Sequence, residues 1–132
     1  MTVCLDSWAV LAWLDGEEPA ATVVQDAFVA ERPWMNWNNV GEVAYLLERR
    51  HGAKEAALVV GRLRAALALD DVTPDRVLAA ARLKAVHPIA FADCFAAATA
   101  AARDALLLTG DPELLDRDVG CRVRDIRHPA SD

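Results

Sequence analysis

The sequence has few residues of several types that mark whole classes of protein. Its 132 residues include only three cysteines, six glycines and six prolines, and 6% of them are aromatic. Cys4, Cys94 and Cys121 are widely spaced and odd in number, which fits neither a disulfide framework nor a paired-cysteine zinc site. The low glycine and proline content excludes collagen-like and low-complexity chains. We expect the cysteines to be buried thiols that pack as small hydrophobic side chains.

The chain also lacks a long uninterrupted apolar run. Crossing a bilayer takes roughly 18–20 consecutive apolar residues, and no segment of the sequence reaches this length. The first residues, MTVCLDSW, carry an acid where a secretory signal would carry basic residues. The sequence therefore predicts a cytoplasmic protein with no membrane segment.

Basic residues are scarce as well. Fourteen Lys and Arg against twenty Asp and Glu give a net charge of −6, which argues against nucleic-acid binding driven by overall charge. A nuclease with this balance would need divalent cations to offset the acids at its site. Hydrophobic residues make up 55% of the chain, and its length is that of one domain. We expect a single helix-rich domain over residues 1–132.

Short β-rich runs alternate with longer helical patterns, an order that predicts βα units around a parallel sheet. Strands are predicted at residues 2–5, 34–37, 68–72, 105–109 and 121–126. Helices are predicted over residues 8–15, after Pro19, over about 40–50, 54–66, 74–86 and 91–103, and briefly after Pro112. The predicted fold class is α/β, with three α/β/α layers and a central, mainly parallel five-stranded sheet.

Four acids are set apart from the rest by their positions. Asp6 and Asp111 directly follow the first and fourth predicted strands. Glu42 is placed in the first turn of the helix after the second strand, and Asp93 in the first turn of the 91–103 helix. The carboxyl ends of parallel strands and the starts of the following helices share one edge, where ligands bind in open α/β folds. We therefore expect these four carboxylates to converge.

Converging carboxylates repel one another unless a cation lies between them. Oxygen ligands without His or Cys suit Mg²⁺ or Mn²⁺, and such ions promote hydrolysis of phosphodiesters. Taken singly, each acid also has an ordinary explanation as a turn former, a helix cap or a first-turn complement to the helix dipole. Asp93 is the most informative of them, because it stands in PIAFADCFAAA with apolar residues on both sides.

The sequence resembles the PIN-domain ribonucleases, and within them the VapC-type toxins of bacterial toxin–antitoxin pairs. The resemblance rests on VCLDSWAVLAWLDGEEPA, NNVGEVAYLLERRHG, LKAVHPIAFADCFAAATA and LLLTGDPELL, in this order. It implies a PIN-like fold and a Mg²⁺- or Mn²⁺-dependent endoribonuclease that cleaves tRNA, rRNA or mRNA. It also implies a homodimer that is neutralised by a cognate VapB-type antitoxin.

The resemblance assigns roles to individual residues. The catalytic and metal-binding acids of the family fall on Asp6, Glu42, Asp93 and Asp111. Thr109 matches the hydroxyl residue that supports the last acid, and Asn39 matches a polar residue near the site.

Two positions depart from the family pattern. Trp8 stands where many relatives have a small polar residue, and we expect it to pack against a neighbouring helix or subunit. Ala90 stands where a serine is common. Local basic residues are candidates for phosphate contacts, although each is also typical of a solvated helix face: Arg49, Arg50, Arg82 and Lys84.

Two other functions are compatible with parts of the sequence. The Asp70–Asp71 pair after a predicted strand is similar to the acidic doublet of receiver domains, but no lysine follows Lys84 to complete that site. A PIN fold acting mainly through an antitoxin, without significant catalysis, is the second alternative. An acidic site without its own cation would suit an antitoxin segment that inserts an arginine among the carboxylates.

Overall fold

Short strands and longer helices alternate along the chain. The computed structural model describes residues 2–129. In chain order the elements are β1 (Val3–Leu5), α1 (Ser7–Asp15), α2 (Ala20–Ala30), β2 (Trp34–Asn36), α3 (Trp37–His51), α4 (Ala53–Ala66), β3 (Ala68–Asp70), α5 (Pro74–Val86), α6 (Phe91–Ala102), β4 (Leu106–Thr109), α7 (Pro112–Leu115) and β5 (Val123–Asp125).

The five strands form one sheet in the order β3-β2-β1-β4-β5. Every pairing in it is parallel, which confirms the predicted α/β class and parallel sheet. Leu5 of β1 is in register with Leu108 of β4, and Asn36 of β2 with Asp70 of β3. All carboxyl ends therefore lie along one edge, and the residues that follow β1 and β4 are neighbours there.

Helices cover both faces of the sheet. Consecutive residues of a strand point to opposite faces, and both Cys4 and Leu5 of β1 are fully buried. Leu5 packs in a hydrophobic cluster with residues of α1 to α4, whereas Cys4 packs in a second cluster with α5 and α6. These two clusters account for the predicted three-layer arrangement and for the near-continuous apolar character of the strands.

Helix α6 is the most deeply buried element, and its composition explains how it fits. All residues from Asp93 to Ala100 are buried, and half of them are alanine. Small side chains allow the helix to lie close to the sheet and to α5, which it contacts extensively. This packing fixes the first turn of α6, where Asp93 lies.

Most predicted elements are present, with differences at their ends. The third strand ends at Asp70 rather than residue 72, since Asp70 is drawn into a buried ion pair and Val72 is 47% exposed. Helix α3 begins at Trp37, three residues before the predicted start, because the side chain of Asn36 caps it by accepting the Asn38 N–H at 2.8 Å. The cysteines are free thiols; Cys4 and Cys94 are buried as expected, but Cys121 is only half-buried.

Within residues 2–129, no single helix is long and apolar enough to cross a membrane. Only α5 and α6 taken together meet the criteria of length and composition, and they are bent by 120° at their junction.

Candidate functional site

Asp6 lies at the centre of the carboxyl edge of the sheet. It follows β1 directly and is the N-cap of α1, where Oδ1 accepts the N–H of Ala9 at 2.8 Å. The hydroxyl of Thr109, the last residue of the adjacent β4, donates to Oδ2. The side chain is only 1% exposed. Neighbouring strands and a helix start therefore fix this carboxylate, while each of its oxygens keeps a lone pair for another partner.

Asp111 is tied to the same hydroxyl. Its backbone N–H donates to Thr109 Oγ1 at 3.0 Å, so Thr109 connects the two acids through one side chain. Asp111 is also the N-cap of α7, where Oδ1 accepts the N–H of Glu113 at 2.9 Å. Sequence reasoning named Thr109 as a supporting residue, and the structure places it between Asp6 and Asp111.

Three carboxylates form a tight group at this edge. Oxygen atoms of Asp93, Asp111 and Glu113 all lie within 4.8 Å of one another. Asp93 comes from the first turn of the buried α6, and only 8% of it is exposed. Glu113 was not among the predicted site residues, because a glutamate in the first turn of a short helix is an ordinary dipole complement. Its place two residues after Asp111 was the one signal available.

Glu42 lies deeper in its helix than the sequence predicted. The earlier start of α3 puts it in the second helical turn rather than the predicted first turn, and it is half-buried. Like Asp6, it is outside the group of three acids, so only Asp93 and Asp111 of the four predicted acids belong to that group. Its negative charge nevertheless contributes to raising the pKa of Asp6, so it faces the same region of the site.

Burial and mutual repulsion disturb the ionisation of two acids. Burial raises the pKa of Asp6 to about 7, against the opposing hydrogen bonds from Thr109 and Ala9 and with help from the charges of Asp111 and Glu42. Burial also raises the pKa of Asp93 to about 8, aided by the charge of Asp111. Both carboxylates thus lack a compensating positive charge.

The donor set fits a divalent metal ion. The acids supply hard oxygen ligands of the kind that Mg²⁺ and Mn²⁺ prefer. Across residues 2–129, none of the ion pairs involves Asp6, Asp93 or Asp111. A cation bound here would stabilise carboxylates that the protein otherwise holds at a cost in free energy.

Asn39 joins α3 to the start of α6. It is 1% exposed, and its Nδ2 donates to the carbonyl of Ala92 at 2.9 Å, one residue before Asp93. Its backbone carbonyl accepts the hydroxyl of Ser7 at 3.2 Å. The side-chain oxygen is buried and has no hydrogen-bond partner among residues 2–129. Asn39 therefore supports the backbone beside Asp93.

Trp8 packs against the turn that carries Asp111. A Cβ atom on Gly110 would lie only 2.2 Å from the Trp8 ring, so the indole occupies the space that any side chain at position 110 would need. Trp8 also packs against the hydrophobic cluster that α1 to α4 share, in agreement with the expected helix contact. A contact with another subunit remains a prediction. The ring forms a wall beside the site and requires glycine at position 110.

The candidate phosphate-binding residues are partly engaged with the protein itself. Lys84 donates to the carbonyl of Ile89 at 2.6 Å, and the guanidinium of Arg49 lies 4.9 Å from the centre of the Tyr45 ring. Lys84 thereby steadies the loop that leads into α6. Contacts of these side chains with a substrate remain a prediction.

Asp70 is part of a separate, buried ion cluster. It accepts hydrogen bonds from Arg76 at 2.7 and 3.0 Å, from Arg103 at 3.0 Å, from Thr99 at 2.7 Å and from Asn36 at 3.0 Å. Although burial opposes ionisation, these donors hold its pKa well below the usual range. Because two arginines occupy this carboxylate, it is not the accessible phosphoacceptor that a receiver domain requires.

Cation–π contacts account for two tryptophans to which the sequence gave no role. The guanidinium of Arg103 stacks 4.0 Å from the centre of the Trp34 ring, and that of Arg64 lies 5.5 Å from the Trp37 ring. The first contact joins the end of α6 to β2 and the second joins α4 to α3, and such contacts are weakly stabilising.

Comparisons with known proteins agree with the fold. A sequence profile described as PIN domain matches residues 3–119, and the chain belongs to the PIN domain family. PIN-domain proteins are nucleases, so the predicted resemblance is confirmed at this level. Among curated proteins, none is similar enough in sequence to be matched.

Several solved structures share the fold at low sequence identity. A chain of VapBC from Salmonella typhimurium, bound to DNA, is 17% identical with a TM-score of 0.75, covering 95% of this chain and 98% of that one. A chain of VapBC2 from Rickettsia felis, bound to a DNA fragment from the promoter, is 14% identical with a TM-score of 0.74 and the same coverage of both chains. The sarcin–ricin loop-cleaving toxin VapC20 from Mycobacterium tuberculosis is 17% identical with a TM-score of 0.69, covering 84% of this chain and 91% of that one. These structural neighbours are VapC toxins and their VapBC complexes.

Proposed function

We propose that this protein is a metal-dependent endoribonuclease toxin that hydrolyses phosphodiester bonds in RNA. The observation that carries the proposal is the group of Asp93, Asp111 and Glu113 oxygens within 4.8 Å of one another, next to the buried Asp6. A site that concentrates negative charge without a protein cation is suited to a divalent ion and, through it, to a phosphate group. Its membership of a nuclease family agrees with this reading.

The residues that would hold Mg²⁺ or Mn²⁺ are Asp6, Glu42, Asp93 and Asp111. Held there, such an ion would supply charge neutralisation at the phosphodiester and activation of water for hydrolysis. Thr109 keeps Asp6 and Asp111 in fixed relative positions through its two hydrogen bonds. Preorganised ligands of this kind avoid reorganisation during the reaction.

The overall charge of −6 bears on the substrate. Because long-range attraction for RNA is weak, we infer that binding depends on local contacts at the site and on the metal ion. The substrate class is RNA with an accessible phosphodiester in a defined tRNA, rRNA or mRNA, rather than any nucleic acid. The wall formed by Trp8 beside Asp111 restricts how the chain of the substrate approaches.

Cleavage of a panel of structured RNAs tests the proposal. The purified protein should cleave at least one RNA with Mg²⁺ or Mn²⁺, and EDTA should abolish cleavage. Asp93→Asn should reduce the rate by at least about 100-fold, in the range expected for loss of a charged group acting on the transition state. Asp26→Asn, which changes an exposed acid of α2, is the matched control and should keep full activity. Metal binding without cleavage of any RNA would favour the non-catalytic PIN module instead.

We further propose that the protein is a cytoplasmic homodimer inhibited by a VapB-type antitoxin. The structural neighbours include VapBC complexes, and the acidic site offers an inhibitor a place for a bidentate arginine. Co-expression with the product of the adjacent gene should yield a stable complex without ribonuclease activity. If the complex remains as active as the free protein, inhibition at this site is wrong.

A further inference from the structure

Helix α6 begins without a capping side chain, although it carries a central acid of the site. Its N-cap residue is Ala90, which has no side-chain hydrogen bond to the first turn. Asp93 occupies the third helical position. In a capping box, an acidic or amide side chain at that position turns back to accept the N–H of the N-cap residue. Asp93 is thus placed where the free N–H of Ala90 would compete for its carboxylate.

Glu113 removes this competition from outside the helix. Its Oε2 accepts the N–H of Ala90 at 3.2 Å, and its own backbone N–H is held by Asp111 Oδ1 at 2.9 Å. An acid from α7 therefore satisfies the donor that the residue at position 93 would otherwise bind. The Ala90 N–H is thus bound by Glu113 and not by Asp93. The Asp93 carboxyl faces Asp111 and lies within hydrogen-bond reach of the Glu113 side chain.

We propose that Glu113 is a positioning residue, which binds the Ala90 N–H so that the Asp93 carboxylate stays free for the metal ion. This inference rests on the proposed metal-dependent function and adds a role for a residue outside the predicted set. The competing explanation is that Glu113 is itself a metal ligand, since its oxygen lies within 4.8 Å of the other two acids. The two explanations differ in whether the effect of Glu113 passes through the Ala90 N–H.

The backbone at Ala90 allows that N–H to be deleted. Ala90 has φ −61° and ψ 145°, values that proline adopts without strain, and the residue is exposed. Ala90→Pro therefore removes the donor while leaving the Ala90 carbonyl, which accepts the N–H groups of Asp93 and Cys94. Without the donor, a positioning role of Glu113 has nothing to act on.

A double-mutant cycle with Mn²⁺ as the probe separates the two roles. Mn²⁺ affinity is measured by electron paramagnetic resonance on the full chain for the wild type, Glu113→Ala, Ala90→Pro and the double variant. Glu113→Ala should weaken Mn²⁺ binding roughly tenfold, a typical effect of losing a residue that orients a ligand. In the Ala90→Pro background the same change should have less than a threefold effect. Glu55→Ala, an exposed first-turn glutamate of α4, is the matched control and should leave affinity unchanged.

Hydrogen exchange of the Ala90 amide provides a readout that does not depend on the metal. This amide should exchange faster in Glu113→Ala and stay protected in Glu113→Gln, whose amide oxygen still accepts the bond. The glutamine variant should also bind Mn²⁺ with an affinity closer to the wild type than to Glu113→Ala. It keeps the test decisive if Ala90→Pro does not fold.

Equal losses of affinity from Glu113→Ala in both backgrounds would overturn the positioning role and identify Glu113 as a ligand. No loss in either background would overturn it as well. These outcomes leave the proposed function intact, because they require that the wild type binds Mn²⁺. A wild type that neither binds Mn²⁺ nor cleaves RNA would instead refute the proposed function itself.

Discussion

Replacement of Asp70 by asparagine should destabilise the protein strongly, although the residue lies outside the candidate site. The carboxylate is 1% exposed and pairs with Arg76 and Arg103, whose side chains are 15% and 39% exposed. Removing one partner of a buried ion pair costs about 3–5 kcal/mol because the remaining charge stays buried. Because the two arginines regain some contact with water in the variant, we expect a loss somewhat below that range. The free energy of unfolding should fall by about 2–4 kcal/mol.

The expected shift in melting temperature follows from the size of the chain. For a domain of this length, 1 kcal/mol corresponds to about 3–5 °C, so Asp70→Asn should lower the Tm by roughly 6–20 °C. Urea unfolding followed by tryptophan fluorescence gives the free energy directly. Asp71→Asn, at the neighbouring exposed position, is the control and should change the stability by less than about 0.5 kcal/mol.

The pH dependence gives an independent check of the same interaction. Hydrogen bonds and ion pairs hold the pKa of Asp70 well below its ordinary value of 3.8. Its contribution is therefore fully present above the unfolded-state pKa and is lost as the pH falls through the lower folded-state pKa. The difference between wild type and Asp70→Asn should be constant from pH 7 to about pH 5 and shrink below about pH 4. A loss under 1 kcal/mol at pH 7, or a difference that grows in acid, would refute this reasoning.

Three further predictions concern the site itself. Gly110→Ala should destabilise the protein by about 1–3 kcal/mol, since the new Cβ displaces the Trp8 ring; calorimetry of the purified variant checks this, and an unchanged Tm contradicts it. Thr109→Val leaves the Asp111 N–H without its acceptor and should cost about 1–3 kcal/mol in urea unfolding and reduce cleavage; wild-type stability and rate would show that the hydroxyl is dispensable. The pKa of Asp6 is raised from its ordinary value of 3.8 to about 7 in the folded protein. The protonated residue therefore stabilises the folded state at pH values below 3.8, and this stabilisation is lost as the pH rises through 7. In EDTA, Asp6→Asn should therefore gain roughly 2–4 kcal/mol over wild type on going from pH 4 to pH 8, whereas parallel stability curves would contradict the shift.

The positions of the strands and of two acids were predictable because the signals are local. Asp6 and Asp111 each follow an apolar β-rich run directly, and a parallel sheet brings the ends of its strands to one edge. The register of β1 with β4 then makes these two acids neighbours. Thr109, at the end of β4, was assigned only by the resemblance to the family.

Other features depend on contacts between distant parts of the chain. Asp70 and Asp71 are chemically equivalent in the sequence, and only the fold shows that Arg103, from the end of α6, reaches the first of them. Glu113 has the same sequence context as any first-turn glutamate, so its bond to Ala90 N–H was not foreseeable. The start of α3 was misplaced because Asn36 is both the last residue of a strand and the helix cap.

The most direct test of the central claim is the dependence of RNA cleavage on free Mn²⁺, measured together with Mn²⁺ binding on the same preparation. Because cleavage is expected to require the metal ion that the acids at the carboxyl edge bind, the two curves should coincide. Cleavage should rise in proportion to the bound Mn²⁺. Asp93→Asn should shift both curves to higher Mn²⁺ concentration or abolish them. Cleavage that persists undiminished in EDTA, or Mn²⁺ saturation of the site with no cleavage of any RNA tested, would contradict the account.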